Sequence, residues 1–219
     1  MINDDIIYPG YEYKRNKDNK IILPSIEEQR GKHTTECKKT LVVFIGGASD
    51  DWRQPLLKSV FAPYEKAYGR GNNRRQDIAY SESGVKHVPS LMQKWAKANQ
   101  KIVLVGHSWG GDSVIRLAEN KENSNIPIKL LVTLDPVSLR KNGNQSKPKT
   151  VERWVNVYVD YNLADWSFPN IIARAGGKWG VCYKADKNVA INLLIKDTGH
   201  GDADDMFYKT GVANEVLKL

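Results

Sequence analysis

The amino-acid sequence predicts an α/β protein with a mostly parallel central sheet flanked by helices on both faces. From residue 41 onward, short apolar runs alternate with segments of helical spacing, as is typical of strand–helix–strand units. The runs at 41–45 and 102–105 are continuously apolar, which favours strands buried on both faces. The chain has 219 residues and 41% of them are hydrophobic. We therefore expect one domain with one sizeable core over residues 1–219.

The individual elements follow from periodicity and from turn residues. An N-terminal extension over 1–40 is expected to carry two short strands, at 6–13 and 20–23, around a polar turn. Glycine, proline, asparagine and lysine make 136–150 and 160–187 loop-like. The remaining predictions are strands at 41–45, 78–80, 102–105, 128–134, 155–159 and 189–195, and helices at 52–67, 88–99, 110–120 and near 203–218.

Composition and charge exclude several classes of protein. No apolar run is long enough to span a membrane. The polar N-terminus is no secretory signal, so the prediction is a cytoplasmic location, with export by a dedicated secretion system as an alternative. The net charge is +8, yet no nucleic-acid-binding motif is present. Cys37 and Cys182 lie far apart without metal-ligand spacing. We expect no metal, and the sequence does not indicate an oligomeric state.

The stretch "KIVLVGHSWGGDSVIRLAE" at 101–119 contains the clearest chemical signal. A predicted strand stops at Gly106, a serine follows at Ser108, and helical spacing begins after Gly110. A tight strand-to-helix turn exposes a serine at the edge of the sheet, and small neighbours let strand and helix pass closely. The start of the helix also aims its positive dipole end and the N–H of Trp109 at an oxyanion formed beside Ser108. The pattern predicts a nucleophile elbow.

Residues 41–210 resemble the α/β-hydrolase superfamily, and its lipase and esterase members most closely. The resemblance rests on "FIGGASD", "GHSWGG", "LVTLDPV" and the histidine of "DTGHGDADD". In that superfamily the chain order is Ser, then Asp or Glu, then His. Of the four histidines only His200 follows Ser108, so the resemblance assigns the base to His200. His107 is interpreted as a residue packed beneath the turn.

The acid and the second oxyanion donor are left with alternatives. Asp135 ends "IKLLVTLD" and resembles the strand-end acid of some lipases, whereas most members place the acid one strand later, at Asp160. We favour Asp135 over Asp160, with Asp165 and Asp197 as further alternatives. The loop "GGAS" after the run 41–45 should supply the second oxyanion N–H, from Ala48 or, failing that, from Gly47.

These assignments predict a serine hydrolase that cleaves carboxylic esters through an acyl-enzyme and needs no cofactor. Three interpretations of the substrate compete: a lipase or phospholipase, a soluble carboxylesterase or thioesterase, and a non-catalytic binding protein of the same fold. Residues 136–188 contain nine basic and four acidic residues. The resemblance places this basic, loop-rich segment near the active site. A peripheral contact with anionic membrane is therefore expected if the substrate is a phospholipid, although the charge could serve solubility alone.

Overall fold

A six-stranded, entirely parallel sheet forms the centre of the molecule, as the sequence predicts. The computed structural model describes residues 14–15, 21–22, 40–47, 54–69, 76–82, 85–139 and 146–219. The strands of the central sheet are β3 (Thr40–Ile45), β4 (Gln76–Ser81), β5 (Lys101–His107), β6 (Ile128–Leu134), β7 (Val151–Tyr158) and β8 (Lys187–Ala190). Before them, β1 (Lys14–Arg15) pairs with β2 (Ile21–Ile22) in an antiparallel ribbon. The predicted strand at 6–13 lies outside the described residues.

The strand order across the sheet is β4-β3-β5-β6-β7-β8. The chain adds β4 on one side of β3 and then β5 to β8 on the other, so the strand order reverses between β3 and β5. In open parallel sheets, the crevice at the carboxyl ends of the strands on either side of such a reversal is a preferred binding site. Gly46 and Gly47 follow β3 at this place, and Ser108 follows β5. The topology therefore puts the predicted nucleophile at the position where the fold favours a site.

Helices cover both faces of the sheet. The structure contains α1 (Ala62–Tyr68), α2 (Val88–Lys97), α3 (Trp109–Glu119), α4 (Phe168–Ala175), α5 (Ile191–Leu194) and α6 (Val212–Leu217). A π-helical turn, Leu57–Phe61, leads into α1. On one face, side chains of this turn, of α1 and of α6 pack against β3, β5 and β7. On the other face, α2 and α3 pack against the alternate residues of β3, β5 and β6. Because both faces are covered, the central strands β3, β5 and β6 are almost entirely buried.

Two predicted elements near the carboxyl edge differ from the structure. The strand predicted at 189–195 ends at Ala190, and Ile191–Leu194 is the short helix α5. There the Asn192 side chain bonds both backbone groups of Asp160, at 2.9 Å each, which holds this segment in a turn. The segment 160–187, predicted as a loop, contains α4 with Pro169 in its first turn, where proline is compatible with a helix.

The remaining differences concern boundaries. The strand predicted at 155–159 begins at Val151. The single helix predicted near 203–218 is divided into a π-helical turn, Asp205–Lys209, and α6. Gly211, with φ 84°, separates the two parts. A left-handed residue ends a helix because it turns the chain away from the helical path. Among the described residues, no helix has the length and apolarity that a membrane crossing needs.

Candidate active site

Ser108 occupies a sharp turn between β5 and α3. It has φ 56° and ψ −126°, a conformation that strains a residue with a side chain. Its N–H donates to Leu134 O at 3.0 Å, which ties the turn to the neighbouring strand β6. The predicted strand–serine–helix arrangement is therefore present, with the serine at the carboxyl edge of the sheet.

Two glycines make this turn sterically possible. A Cβ on Gly106 would lie 2.2 Å from Gly110 O, and a Cβ on Gly110 would lie 2.0 Å from Ile45 O. Both separations are far below van der Waals contact, and the opposing atoms are backbone that cannot rotate away. The elbow therefore needs glycine at both positions, in line with the close strand–helix passage expected from the sequence.

Ser108, His200 and Asp135 form one hydrogen-bonded chain. Nε2 of His200 lies 3.0 Å from Ser108 Oγ, and Nδ1 of His200 lies 2.6 Å from Asp135 Oδ2. The three residues are buried, with exposed fractions of 6%, 3% and 0% respectively. A carboxylate only accepts hydrogen bonds, so Nδ1 carries a proton and Nε2 of the neutral ring faces the serine hydroxyl as an acceptor. The arrangement can take the proton of the serine.

Two of the alternative acids, Asp160 and Asp165, accept hydrogen bonds from the backbone of their own turns. Asp160 Oδ1 accepts from Asn162 N–H at 3.0 Å, within a turn. Asp165 Oδ1 accepts from Ser167 N–H at 3.1 Å in the same manner. Both are short-range bonds of the kind aspartates make in turns. Asp135 differs because it follows β6 and its Oδ2 accepts from Nδ1 of His200 at 2.6 Å.

The loop of His200 is held by side chains that sequence reasoning did not single out. Asn170 in α4 accepts from His200 N–H at 2.7 Å and donates to Asp165 at 2.7 Å. Asp202 accepts from Gly199 N–H at 2.7 Å and closes the turn around the histidine. Because α4 was predicted as loop, the pattern gave no reason to connect Asn170 with His200.

His107 lies beneath the elbow and beside the base. Its Nε2 lies 2.9 Å from the carbonyl oxygen of His200, so this nitrogen carries the proton and donates. Burial and the neighbouring His200 lower the pKa of His107 to about 3. The residue therefore stays neutral and supports the backbone of His200, which agrees with its expected packing role.

Of the two predicted oxyanion donors, Trp109 lies among the described residues. Trp109 is the first residue of α3, where the backbone N–H groups have no acceptor within the helix. Ala48 lies outside the described residues. Gly47, the alternative to it, is so close to the nucleophile that a Cβ there would lie 3.1 Å from Ser108 Oγ. The loop after β3 and the start of α3 can therefore each supply a backbone N–H to an oxyanion formed beside Ser108.

Large exposed apolar side chains are frequent in the segments that follow this edge of the sheet. Nine of the described ones, at positions 109, 139, 163–172 and 193–194, follow the carboxyl ends of β5 to β8 and are 40% to 74% exposed. We call this set the apolar rim; its members are Trp109, Leu139, Leu163, Trp166, Phe168, Ile171, Ile172, Leu193 and Leu194. A cavity of about 300 Å³ opens beside Trp109 and is also lined by Val137 and Arg116.

The basic segment does not lie wholly at this edge. Lys147 precedes β7 and pairs with Asp186, which precedes β8, at 2.7 Å. Both residues are therefore at the amino edge of the parallel sheet, opposite Ser108. Lys149 also precedes β7, whereas Arg140 and Lys141 lie outside the described residues. The resemblance placed the segment 136–188 near the active site, whereas its part around Lys147 lies at the other edge of the sheet.

The parallel sheet, the elbow at the strand reversal and the matched family together identify the chain as a member of the α/β-hydrolase superfamily. The family model that matches is that of Chlorophyllase, over residues 73–161. The match covers 89 of the 219 residues and includes Ser108 and Asp135 but ends before His200. It favours an ester hydrolase. No curated protein matches the chain.

Proposed function

We propose that the protein is a serine hydrolase that cleaves carboxylic esters through an acyl-enzyme. The observation that carries the proposal is the continuous hydrogen-bonded chain from Ser108 through His200 to Asp135. A serine hydroxyl is a weak nucleophile unless a base removes its proton, and His200 is within reach to do so. A binding protein of the same fold has no use for this chain of contacts.

In the proposed mechanism, His200 takes the proton of Ser108 as Oγ attacks the ester carbonyl. Asp135 orients the imidazole and stabilises its charged form. The N–H groups of Trp109 and of the loop after β3, from Gly47 or Ala48, bind the tetrahedral oxyanion. His200 then protonates the leaving alcohol, and water activated by the same residue releases the acid. Every step uses side chains or backbone of this chain.

We further propose that the substrates are acyl esters with long apolar chains, of the lipase or phospholipase type. The apolar rim supports this proposal, because exposed apolar surface concentrated around a nucleophile favours an apolar substrate or a lipid surface. The rim segments 136–139, 159–176 and 191–199 contain three acidic and two basic residues. Contact with lipid would therefore depend on apolar area more than on anionic head groups.

Covalent labelling tests whether the protein is an enzyme. A fluorophosphonate probe should label the native protein at Ser108, and Ser108→Ala should abolish labelling. Ser113→Ala is the matched control, since Ser113 lies within α3, five residues after Ser108, and should not affect labelling. Absence of labelling in the native protein would favour the binding-protein alternative.

A substrate panel separates the lipase type from a soluble carboxylesterase or thioesterase. Turnover of p-nitrophenyl esters should rise with acyl length, and vesicles of phosphatidylcholine should be hydrolysed with or without added phosphatidylglycerol. Ile171→Ser with Leu193→Ser should lower vesicle hydrolysis but leave a short soluble ester unaffected. Tyr183→Ser, which removes a 77% exposed side chain outside the rim, serves as the control. Highest activity on short esters or thioesters would favour the soluble alternative.

A further inference from the structure

Among the described residues, three donate hydrogen bonds to the carboxylate of Asp135, and one of them is His200. Oδ1 accepts from Val159 N–H at 3.0 Å. Oδ2 accepts from Nδ1–H of His200 at 2.6 Å and also from the hydroxyl of Tyr161. The oxygen that holds the base is therefore shared with a phenol.

Tyr161 is fixed in place and keeps its proton. It is 7% exposed and follows β7 by three residues. Burial, and next the negative charge of Asp135, raise the pKa of Tyr161 far above its usual value. Arg174 lies over its ring at 5.0 Å and donates to its carbonyl oxygen at 3.0 Å. Lys178 Nζ lies 4.6 Å from the ring centroid. The hydroxyl is thus a permanent donor that is aimed at Oδ2.

We propose that Tyr161 is a positioning residue that sets how strongly the Asp135–His200 pair holds a proton. The inference rests on the proposed function, because it concerns the same acid and base. It adds to the Ser-His-Asp arrangement a second, neutral hydrogen-bond donor for the acid. This donor competes with His200 for Oδ2 of Asp135. The Tyr161 hydroxyl contacts the acid, so Tyr161 acts through Asp135.

The direction of the effect follows from the dipole of the hydroxyl. Its positive end faces Oδ2 and offsets part of the carboxylate charge that attracts the proton on His200. Without the hydroxyl, the pair should bind a proton at higher pH. Because the base must be neutral to accept the serine proton, activity should then begin to fall at higher pH on the acid side.

The other titratable and charged groups near the Asp135–His200 pair are the same in chains with and without the Tyr161 hydroxyl. His107 at the end of β5 faces His200, with the ring centroids 5.0 Å apart. Further groups among the described residues lie after β7, on or after α4 and in the His200 loop; they include Asp160, Asp165, Arg174, Lys178, Lys196, Asp197 and Asp202. Each acts equally in a chain with and without the Tyr161 hydroxyl, provided that the ring remains.

The test is the pH profile of kcat/KM for Tyr161→Phe on a short soluble ester. We expect the acid limb to move up by about one pH unit, because a hydrogen bond to a charged group has about that effect. Tyr158→Phe is the matched control: Tyr158 is the last residue of β7 and its raised pKa reflects burial and Asp160, so the limb should not move. An unchanged limb in Tyr161→Phe overturns the inference, whether or not the melting temperature falls.

A second variant keeps the test independent of folding. Fluorinated tyrosine at position 161 retains the ring and hydroxyl but is a stronger donor, so the acid limb should move down. Movement in the same direction as Tyr161→Phe overturns the inference. Fluorophosphonate labelling of the native protein is measured in parallel, and its failure rejects the proposed function itself. If the native protein is labelled but the acid limb of the pH profile does not move in either variant, only the role of Tyr161 is rejected.

Discussion

The elbow at 101–119 and the segments that hold His200, 159–176 and 191–202, are built in different ways. In the elbow, glycines next to the serine in sequence decide the geometry, because a Cβ at Gly106 or Gly110 would collide with backbone. In the other segments, side chains far apart in sequence decide it, as when Asn170 binds the backbone of His200 thirty residues away. Local sterics leave a readable sequence pattern, whereas long-range polar contacts leave none.

The largest effect is expected from variants that remove the contact between the two regions, which joins Ser108 to His200. Ser108→Ala and His200→Ala should each lower kcat by about 10⁶-fold, since the elbow supplies the nucleophile and the other region supplies the base. The double variant should be barely worse than either single variant, because the two residues act as a unit. Kinetics with the p-nitrophenyl ester panel and circular dichroism of the folded variants check this. Substantial turnover by Ser108→Ala would contradict the proposed mechanism.

Asp135→Asn should lower kcat by about 10⁴-fold, because an amide at Oδ2 favours the wrong tautomer of His200. Asp160→Asn is the matched control and should change kcat little, since Asp160 accepts from Asn162 in its own turn. The reverse ranking in steady-state kinetics would transfer the role of acid to Asp160.

Gly110→Ala tests the steric origin of the elbow. The added Cβ would lie 2.0 Å from Ile45 O, so strand and helix must separate. A displacement of this kind can cost about 10²-fold in kcat, and overpacking typically costs about 1–3 kcal/mol of unfolding free energy. Gly201→Ala is the control from the other region, because its Cβ would lie 3.4 Å from Pro169, an ordinary contact. If Gly110→Ala and Gly201→Ala lose equal unfolding free energy in urea and equal kcat, the two regions do not differ in this way.

The same contrast explains how much the sequence could predict. Strand runs such as 41–45 and 128–134, the elbow and the place of His200 after the last strand all depend on local pattern and chain order, and the structure has them. Helix α4 was missed because Pro169, Gly176 and Gly177 resemble loop residues, although proline in a first turn and glycine after a last turn are compatible with a helix. Asn170 and Tyr161 were missed with it, because their partners are set by tertiary packing.

Asn170→Ala should have a smaller effect that is confined to the His200 region. It leaves His200 N–H and Asp165 without the 2.7 Å bonds that Asn170 makes. We expect a loss of about 1–3 kcal/mol of unfolding free energy and a decrease in kcat of about tenfold. Asn170→Asp keeps the acceptor for His200 N–H but faces Asp165, so it should lose stability while retaining more activity than alanine. If alanine matches the native protein in both urea unfolding and kcat, Asn170 does not hold the base.

The smallest effect is expected for Lys147→Gln, at the amino edge opposite both regions. Lys147 pairs with Asp186 at 2.7 Å, and the two side chains are 26% and 36% exposed. Such partly exposed pairs contribute about 0–1 kcal/mol, less at high salt, so the melting temperature should fall by a few degrees at most.

The distance from the apolar rim separates Lys147 from any lipid bound at the carboxyl edge of the sheet. Hydrolysis of phosphatidylcholine vesicles containing phosphatidylglycerol should therefore stay within about twofold of the native rate. A larger loss on anionic vesicles, with the short soluble ester unaffected, would show that lipid reaches the amino edge. The positive charge of the 136–188 segment would then contribute to membrane contact after all.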